Sequence, residues 1–203
     1  IMQTYGQGTR LGFLKLTLST ENEGTKIISY EGKLLPVISN DLAPHPVVSK
    51  KLAYFKSQYP ELQETVCSSK ERISRLYNKE SDLGNLYADI IRDHANAEIG
   101  FMPSGALRKD LPKGNVPVMD VLDSFPFTDL VAELDMSGEQ IIRVLEQSLT
   151  LERGMLQVSG LQVEYDLSKP TGHRVISVLV NGVALEQEEF YHVATIEIMA
   201  QGG

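Results

Sequence analysis

The strongest periodicity in the sequence is an apolar stripe that recurs at three- and four-residue steps between about Glu80 and Ala95. This spacing places the apolar side chains on one face of a helix, which another element must then cover. The stripe consists of Leu83, Leu86, Tyr87, Ile90 and Ile91. A short apolar run, Ala97–Met102, follows it and is typical of a buried strand. The sequence therefore predicts an amphipathic helix followed by a buried strand.

Segments on both sides of this unit have the composition and alternation of strands. The candidates are Leu11–Leu18, Lys26–Tyr30, Lys33–Ile38, Gln157–Asp166, Val175–Val180 and Tyr191–Met199. Asn181-Gly182 favours a two-residue hairpin turn, and Ser137 with Gln140 has the pattern of a helix-capping box. We therefore expect a mixed α/β (α+β) fold.

Charge and apolar content exclude several classes of protein. The 203 residues include 19 basic and 27 acidic side chains, for a formal net charge of -8, and 42% are hydrophobic. A chain of this balance is expected to form a packed core. The acidic balance, with no run of lysine or arginine, argues against nucleic acid as a partner and favours a small-molecule ligand. No stretch of eighteen apolar residues occurs, so we predict no membrane span.

Proline-bearing segments indicate how the chain is divided. The polar segment Asn40–Pro46 precedes an apolar pattern that runs from Val47 to Tyr59 and stops at Pro60. Because proline is tolerated in the first turn of a helix and disrupts a helix interior, this pattern predicts a helix between the two prolines. We expect residues 41–68 to be a helical linker that joins a β-rich segment, residues 1–40, to a larger domain, residues 69–203.

The residues by themselves show no catalytic or metal-binding set. Gly6, Gly8 and Gly12 lack the spacing of a dinucleotide-binding fingerprint, and a strand rather than a helix follows them. The four histidines form no ligand cluster with the single cysteine, Cys67. Ser104 does not lie in a Gly-x-Ser-x-Gly motif. We therefore predict no catalytic residue, no metal ligand and no bound cofactor in this chain.

Two loops contain residues that could bind a ligand. The turn Pro103-Ser104-Gly105 follows a predicted strand and leads to Arg108, whose guanidinium can bind a phosphate or carboxylate through two hydrogen bonds. Phe127 lies in the segment Phe125-Pro126-Phe127 and could stack on a base. The alternative is that Arg108 is a surface cation and Phe127 a core residue.

The order of several motifs along the chain narrows these possibilities. The motifs are Glu80–Leu86 followed by Asp89, the Gly105–Arg108 turn, Pro126-Phe127, Leu156–Gly160, Tyr165-Asp166, Arg174-Val175, and the segment from Tyr191 through Met199 to Gly203. Together they resemble the C-terminal domain of the 5'-nucleotidase family, which also includes UDP-sugar hydrolases and 2',3'-cyclic nucleotide phosphodiesterases. The resemblance spans about residues 70–203, and residues 1–40 resemble the last strands of the metallophosphatase domain that precedes it.

The resemblance implies a division of labour between two domains. In this family a pair of divalent metal ions of the Zn, Mn or Mg type, held by the N-terminal domain, activates water, and the C-terminal domain holds the nucleoside end of the substrate. The chain would then be the substrate-binding part of an exported hydrolase of nucleotide catabolism, either periplasmic, secreted or at the cell surface. Its partners would be a nucleotide and its own N-terminal domain. Alone, it is expected to be inactive.

The binding residues implied by the resemblance are Arg108, Phe127, Ser104, Gly105 and Ile198. Arg108 ends the family's glycine-rich turn, and Phe127 matches the first of two base-stacking phenylalanines. Ile198 stands where the second phenylalanine is usually found. Pro103 replaces the asparagine that opens the turn, and Tyr77 replaces an arginine three residues before Glu80. These departures leave open a second function, a non-catalytic nucleotide-binding or surface interaction module derived from the same family.

Overall fold

A computed structural model describes residues 3–4, 8–20, 24–38 and 42–202. Gly6, Asn40, Asp41 and Gly203 of the segments discussed above lie outside these ranges. The chain divides into two units, residues 1–59 and residues 60–203, and each is described by itself.

The first unit contains a β-hairpin and a helix. Strand β1 (Arg10–Ser19) pairs antiparallel with β2 (Lys26–Pro36). The two short strands predicted between residues 26 and 38 are one continuous strand, because Gly32 pairs with Leu14 and does not adopt a positive φ. Helix α1 (Pro46–Gln58) ends before Pro60, which confirms the predicted helix.

The second unit combines short helices with several sheets. Its elements are β3 (Thr65–Ser69), α2 (Asp82–Ala95), β4 (Ile99–Pro103), β5 (Gly114–Pro117), α3 (Val118–Ser124), β6 (Val131–Ser137), α4 (Gly138–Ser148), β7 (Leu156–Ser159), β8 (Leu161–Tyr165), β9 (Val175–Val180), β10 (Val183–Ala184), β11 (Phe190–Ile196) and α5 (Glu197–Ala200). The sheets have the strand orders β6-β11-β4-β7, β10-β9-β8 and β3-β5. The mixed α/β fold predicted from the sequence is therefore confirmed.

The four-stranded sheet separates two apolar cores. Met102 of β4 joins the core of α2, together with Leu83. Phe101, the neighbouring residue of β4, joins the core of α4, together with Ile141. Because successive side chains of a strand point to opposite faces, α2 and α4 lie on opposite sides of this sheet.

A buried glutamine secures the beginning of α2. The Ser81 hydroxyl accepts a hydrogen bond from Gly84 N (3.2 Å) as the N-cap. The Gln157 side chain, which is 1% exposed, accepts from Ser81 N (2.8 Å) and from the Ser81 hydroxyl (3.0 Å). It also donates to the carbonyls of Lys79 (3.1 Å) and Met155 (3.0 Å). The entry to α2 is thus tied directly to β7.

Two smaller predictions are confirmed and two need correction. The Ser137 capping box is present, and Asn181-Gly182 connects β9 to β10 with a positive φ at both residues. The predicted strand Gln157–Asp166 is two strands, because Gly160 has φ +74° and a Cβ there would collide with the Glu98 carbonyl. The predicted strand Tyr191–Met199 ends at Ile196, and α5 follows.

Candidate functional site

The loops that carry the predicted binding residues meet at one edge of the four-stranded sheet. Strands β4 and β11 are parallel neighbours, so their last residues, Pro103 and Ile196, lie at the same edge. Strands β6 and β7 run in the opposite direction and begin there, with Val131 opposite Ile196 and Leu156 opposite Pro103. In open α/β sheets, ligands bind beyond the carboxyl ends of the strands. We call this region the binding edge.

All five predicted binding residues lie in connections at the binding edge. Ser104, Gly105 and Arg108 follow β4, Phe127 precedes β6, and Ile198 follows β11. The topology therefore brings together residues that are up to 94 positions apart in the sequence.

Arg108 and Phe127 form a cation–π pair. The Arg108 Cζ lies 5.3 Å from the centroid of the Phe127 ring, and the Arg108 N–H donates to the Ser124 carbonyl (2.8 Å). Phe127 is 42% exposed and contacts Phe125 edge to face, with ring centroids 5.6 Å apart. Within residues 42–202 Arg108 has no ion pair. The pair therefore lies at the surface, and no acidic side chain among these residues neutralises its guanidinium. This arrangement is suited to a planar ligand that carries an anionic group.

Ser104 and Gly105 form a single 3-10 turn after β4. Ser104 is 1% exposed, and its hydroxyl donates to the Tyr77 carbonyl at 2.8 Å. The only hydrogen of this hydroxyl is therefore already used in a hydrogen bond within the fold. Gly105 is partly exposed, and a Cβ there would lie 3.5 Å from Tyr77 Cε2. Ser104 thus positions the turn, and Gly105 forms part of its surface.

Ile198 lies on α5 and is 49% exposed. The preceding residue, Glu197, donates its N–H to the Leu130 carbonyl (2.8 Å). This bond joins the end of β11 to the segment that follows Phe127. Ile198 therefore presents an apolar side chain at the binding edge from a helical turn rather than from a strand.

A second cation next to Arg108 is neutralised. The Lys109 ammonium donates to Asp120 (2.7 Å) and Asp123 (2.9 Å). The hydrogen bonds to these two carboxylates raise the pKa of Lys109 above its usual value. Lys109 therefore stabilises the loop against α3, while Arg108 remains available to a ligand.

A cavity of about 320 Å³ adjoins the binding edge. Its walls include Pro103, Gly154 and Met199, and Arg153 contributes a cation. This cavity could not be predicted from the sequence, because its walls come from β4, from α4 and the α4–β7 connection, and from α5. No local pattern connects these segments.

The described residues form neither a group of metal ligands nor a membrane-spanning helix. Across residues 3–4, 8–20, 24–38 and 42–202, no three His, Cys, Asp or Glu side chains are grouped so that they could hold a metal ion. In the same part of the chain, no helix is both long and apolar enough to cross a membrane.

The sequence and the fold match known proteins. The family model described as "5'-nucleotidase, C-terminal domain" matches residues 62–203. The trifunctional nucleotide phosphoesterase protein YfkN of Bacillus subtilis is 29% identical over 78% of this chain, which corresponds to 12% of that protein. Snake venom 5'-nucleotidase of Naja atra is 25% identical over the whole chain and 44% of its own length. The chain thus spans less than half the length of these curated relatives.

A solved structure supports the same comparison. The 5'-nucleotidase precursor of Thermus thermophilus aligns with 97% of this chain and 41% of its own, with a TM-score of 0.81 and 29% identity. A known protein of similar sequence therefore has the same mixed α/β fold.

Proposed function

The chain belongs to the 5'-nucleotidase C-terminal domain family, and on that basis we propose that it is the nucleotide-binding part of a metallophosphoesterase that hydrolyses phosphate esters of nucleotides. The observation that supports this proposal most directly is the Arg108–Phe127 pair at the binding edge. A guanidinium and an aromatic ring in contact are suited to the two chemical parts of a nucleotide. These parts are its oxygen-rich sugar phosphate and its planar base.

In this proposal, the residues of the chain bind and orient the substrate. Arg108 donates hydrogen bonds to sugar or phosphate oxygens, Phe127 contacts the base, and the Ser104–Gly105 turn supports both. Ile198 adds an apolar contact. Fixing a substrate in one orientation lowers the entropic barrier of a reaction that occurs elsewhere in the protein. The described residues offer no group of side chains for a metal pair, so the chemical step is assigned to another part of the protein.

We assign that step to an N-terminal metallophosphatase domain holding two divalent metal ions. Residues 1–40 would be its last strands, residues 41–68 a helical linker and residues 69–203 the substrate-binding domain. In support, the β1–β2 hairpin leaves large apolar side chains uncovered, including Leu11, Leu18, Ile27, Ile28 and Tyr30, each at least 50% exposed. A strand pair with so much exposed apolar surface is typical of a sheet whose partner is missing.

The proposed location of the whole protein is outside the cytoplasm. One relative carries the word venom in its name. Export to the periplasm, the medium or the cell surface would give the enzyme access to extracellular nucleotides.

A direct test is calorimetric titration of the chain with adenosine, AMP and ribose 5-phosphate. We expect adenosine and AMP to bind, and both Arg108→Ala and Phe127→Ala to weaken AMP binding. Phe190→Ala is the matched control, because Phe190 is a 69%-exposed aromatic residue at the first position of β11, at the opposite end of that strand from the binding edge. The proposed function would be refuted if the unsubstituted chain bound neither adenosine nor AMP.

Two residues favour the second candidate, a non-catalytic nucleotide-binding or surface interaction module. Pro103 offers no side-chain donor at the start of the turn, and Ile198 offers no aromatic face. The native protein that contains this chain distinguishes the two candidates. Metal-dependent release of phosphate from AMP supports the hydrolase, whereas AMP binding without turnover supports the binding module.

A further inference from the structure

Tyr77 is an aromatic side chain at the binding edge that the proposed function does not use. We propose that its ring forms a second aromatic surface of the site, against which the planar, uncharged part of a nucleoside packs. This inference rests on the proposed function and adds a specificity-determining residue to it.

The backbone of Tyr77 is held in place from two sides. Its carbonyl accepts hydrogen bonds from the Ser104 hydroxyl (2.8 Å) and from Met155 N (2.7 Å). Ser104 begins the turn that leads to Arg108, and Met155 immediately precedes β7. Tyr77 is therefore fixed relative to the turn, although it is distant from that turn in sequence.

The ring of Tyr77 lies against two glycines. A Cβ at Gly105 would lie 3.5 Å from Tyr77 Cε2, and a Cβ at Gly154 would lie 3.2 Å from the same atom. Gly154 has φ +84°, and a Cβ there would also lie 2.7 Å from the Tyr77 carbonyl. A side chain at Gly154 would thus be strained and crowded. Because neither glycine has a side chain, the ring can lie beside both of them. We call the surface formed by Gly105 and Gly154 the seat of the ring.

Tyr77 is partly exposed and has no ring partner among the described residues. Tyr77 is 44% exposed, and its ring has neither an aromatic nor a cationic partner in the part of the chain that the structure describes. Phe127, by contrast, has Arg108 over its ring and Phe125 against it. Because its backbone is fixed, a tyrosine of this kind provides contact area with little loss of conformational entropy on binding.

The surroundings of Tyr77 indicate which part of a ligand it binds. The Tyr77 ring offers a planar aromatic surface, whereas the guanidinium of Arg108 lies three residues beyond Gly105 in the sequence. Gly154, which contacts the ring, also forms a wall of the 320 Å³ cavity. An anionic group is therefore expected near Arg108, and an uncharged planar group near Tyr77 and the cavity.

The test compares the binding of three compounds to Tyr77→Leu, which fills the seat without an aromatic face. Loss of one base-stacking surface should weaken the binding of adenosine and of AMP by the same factor, roughly 5- to 150-fold. Ribose 5-phosphate, which has no base, should bind unchanged. Phe190→Leu, at the opposite end of β11, is the control and should leave all three affinities unchanged.

A second measurement does not depend on the folding of the leucine variant. The chain has eight tyrosines and no tryptophan, so its emission reports on tyrosine. Adenosine should quench this emission in the unsubstituted chain. The quenching should be largely lost in Tyr77→Phe, which keeps the ring in its seat.

Three results would overturn the inference. Equal weakening of ribose 5-phosphate would show that Tyr77 only supports the turn, and quenching that persists in Tyr77→Phe would exclude contact with the base. Unchanged adenosine binding in Tyr77→Leu, with loss of binding in Phe127→Ala, would refute the role of Tyr77 and leave the proposed function intact. If the unsubstituted chain binds no nucleoside, the proposed function fails, and this inference fails with it.

Discussion

The hydroxyl oxygens of Tyr87 and Ser124 lie 2.6 Å apart, and this pair supports the loop that holds Arg108. The Ser124 hydroxyl donates to the Val121 carbonyl (2.7 Å), which leaves the Ser124 oxygen free to accept from Tyr87. The Tyr87 hydroxyl also lies 3.4 Å from the Val121 carbonyl. The Ser124 carbonyl then accepts from Arg108 N (2.8 Å). A residue in the core of α2 is thus connected to the binding edge through the end of α3.

Removing the Tyr87 hydroxyl should therefore destabilise the fold. We expect Tyr87→Phe to lower the free energy of unfolding by about 0.5–1.5 kcal/mol, the usual net value of one hydrogen bond. Urea denaturation followed by circular dichroism measures this change. Tyr165→Phe is the control, because its side chain is 42% exposed and has no hydrogen bond among the described residues. Equal stability of the two variants would show that the Tyr87–Ser124 bond contributes nothing measurable.

The Tyr87 phenol should also ionise at a higher pH than an ordinary tyrosine does. Burial of the phenol raises its pKa above the ordinary value of 10.0, since burial disfavours the charged form. The folded state thus favours the neutral phenol, which adds to the free energy of unfolding. This contribution is complete below the pKa that Tyr87 has in the unfolded chain, and it is lost as the pH rises through the pKa that Tyr87 has in the folded chain. In an ultraviolet absorbance titration, the last tyrosine to ionise should be missing from Tyr87→Phe. Loss of an early-titrating tyrosine instead would contradict this expectation.

Ile198 offers a gain-of-function test. Ile198→Phe would place an aromatic ring on α5 at the binding edge, and stacking on a base contributes roughly 1–3 kcal/mol. Calorimetry should therefore show tighter adenosine binding. Ile198→Leu, which preserves the apolar character without a ring, should bind as the unsubstituted chain does. A phenylalanine variant that binds no better than the leucine variant would place the base away from α5.

The isolated chain should not hydrolyse nucleotides. Within the described residues no set of side chains could hold a metal ion, and our proposal assigns water activation to the preceding domain. Phosphate release from AMP should therefore remain at the buffer rate when Mn²⁺ or Zn²⁺ is added. Turnover that persists through repeated purification and is abolished by Arg108→Ala would reveal a catalytic site within this chain.

Elements defined by a local pattern were predictable from the sequence. Helix α2 has its apolar stripe, α4 has the Ser137 capping box, and the β9–β10 turn has Asn181-Gly182. Each of these signals operates over a few neighbouring residues, so no knowledge of the tertiary fold is required. The predicted strand at residues 157–166 was wrong for the opposite reason. Gly160 breaks that strand because it packs against Glu98, a contact that the local sequence does not reveal.

The candidate site was only partly predictable. The residue types of Arg108 and Phe127 made them candidates, the resemblance to a family favoured a binding role for them, and whether they bind substrate stays a prediction. The seat of Tyr77 on Gly105 and Gly154 could not be anticipated, because it joins three segments separated by long stretches of chain. The short strands β3 and β5 were also missed. They have four or five residues each and pair with an irregular register, so they leave little alternation to detect.

The hydrogen bonds of Gln157 have a consequence for the synthesis of the protein on the ribosome. Ser81, the N-cap residue of α2, is synthesised early. Gln157, whose side chain hydrogen-bonds Ser81 N and the Lys79 carbonyl, is added 76 residues later. A nascent chain that has not yet extended past Gln157 therefore leaves the first turn of α2 incomplete. Because Met155, which anchors Tyr77, is translated at nearly the same time, the helix entry and the binding edge would acquire their final structure together, late in translation.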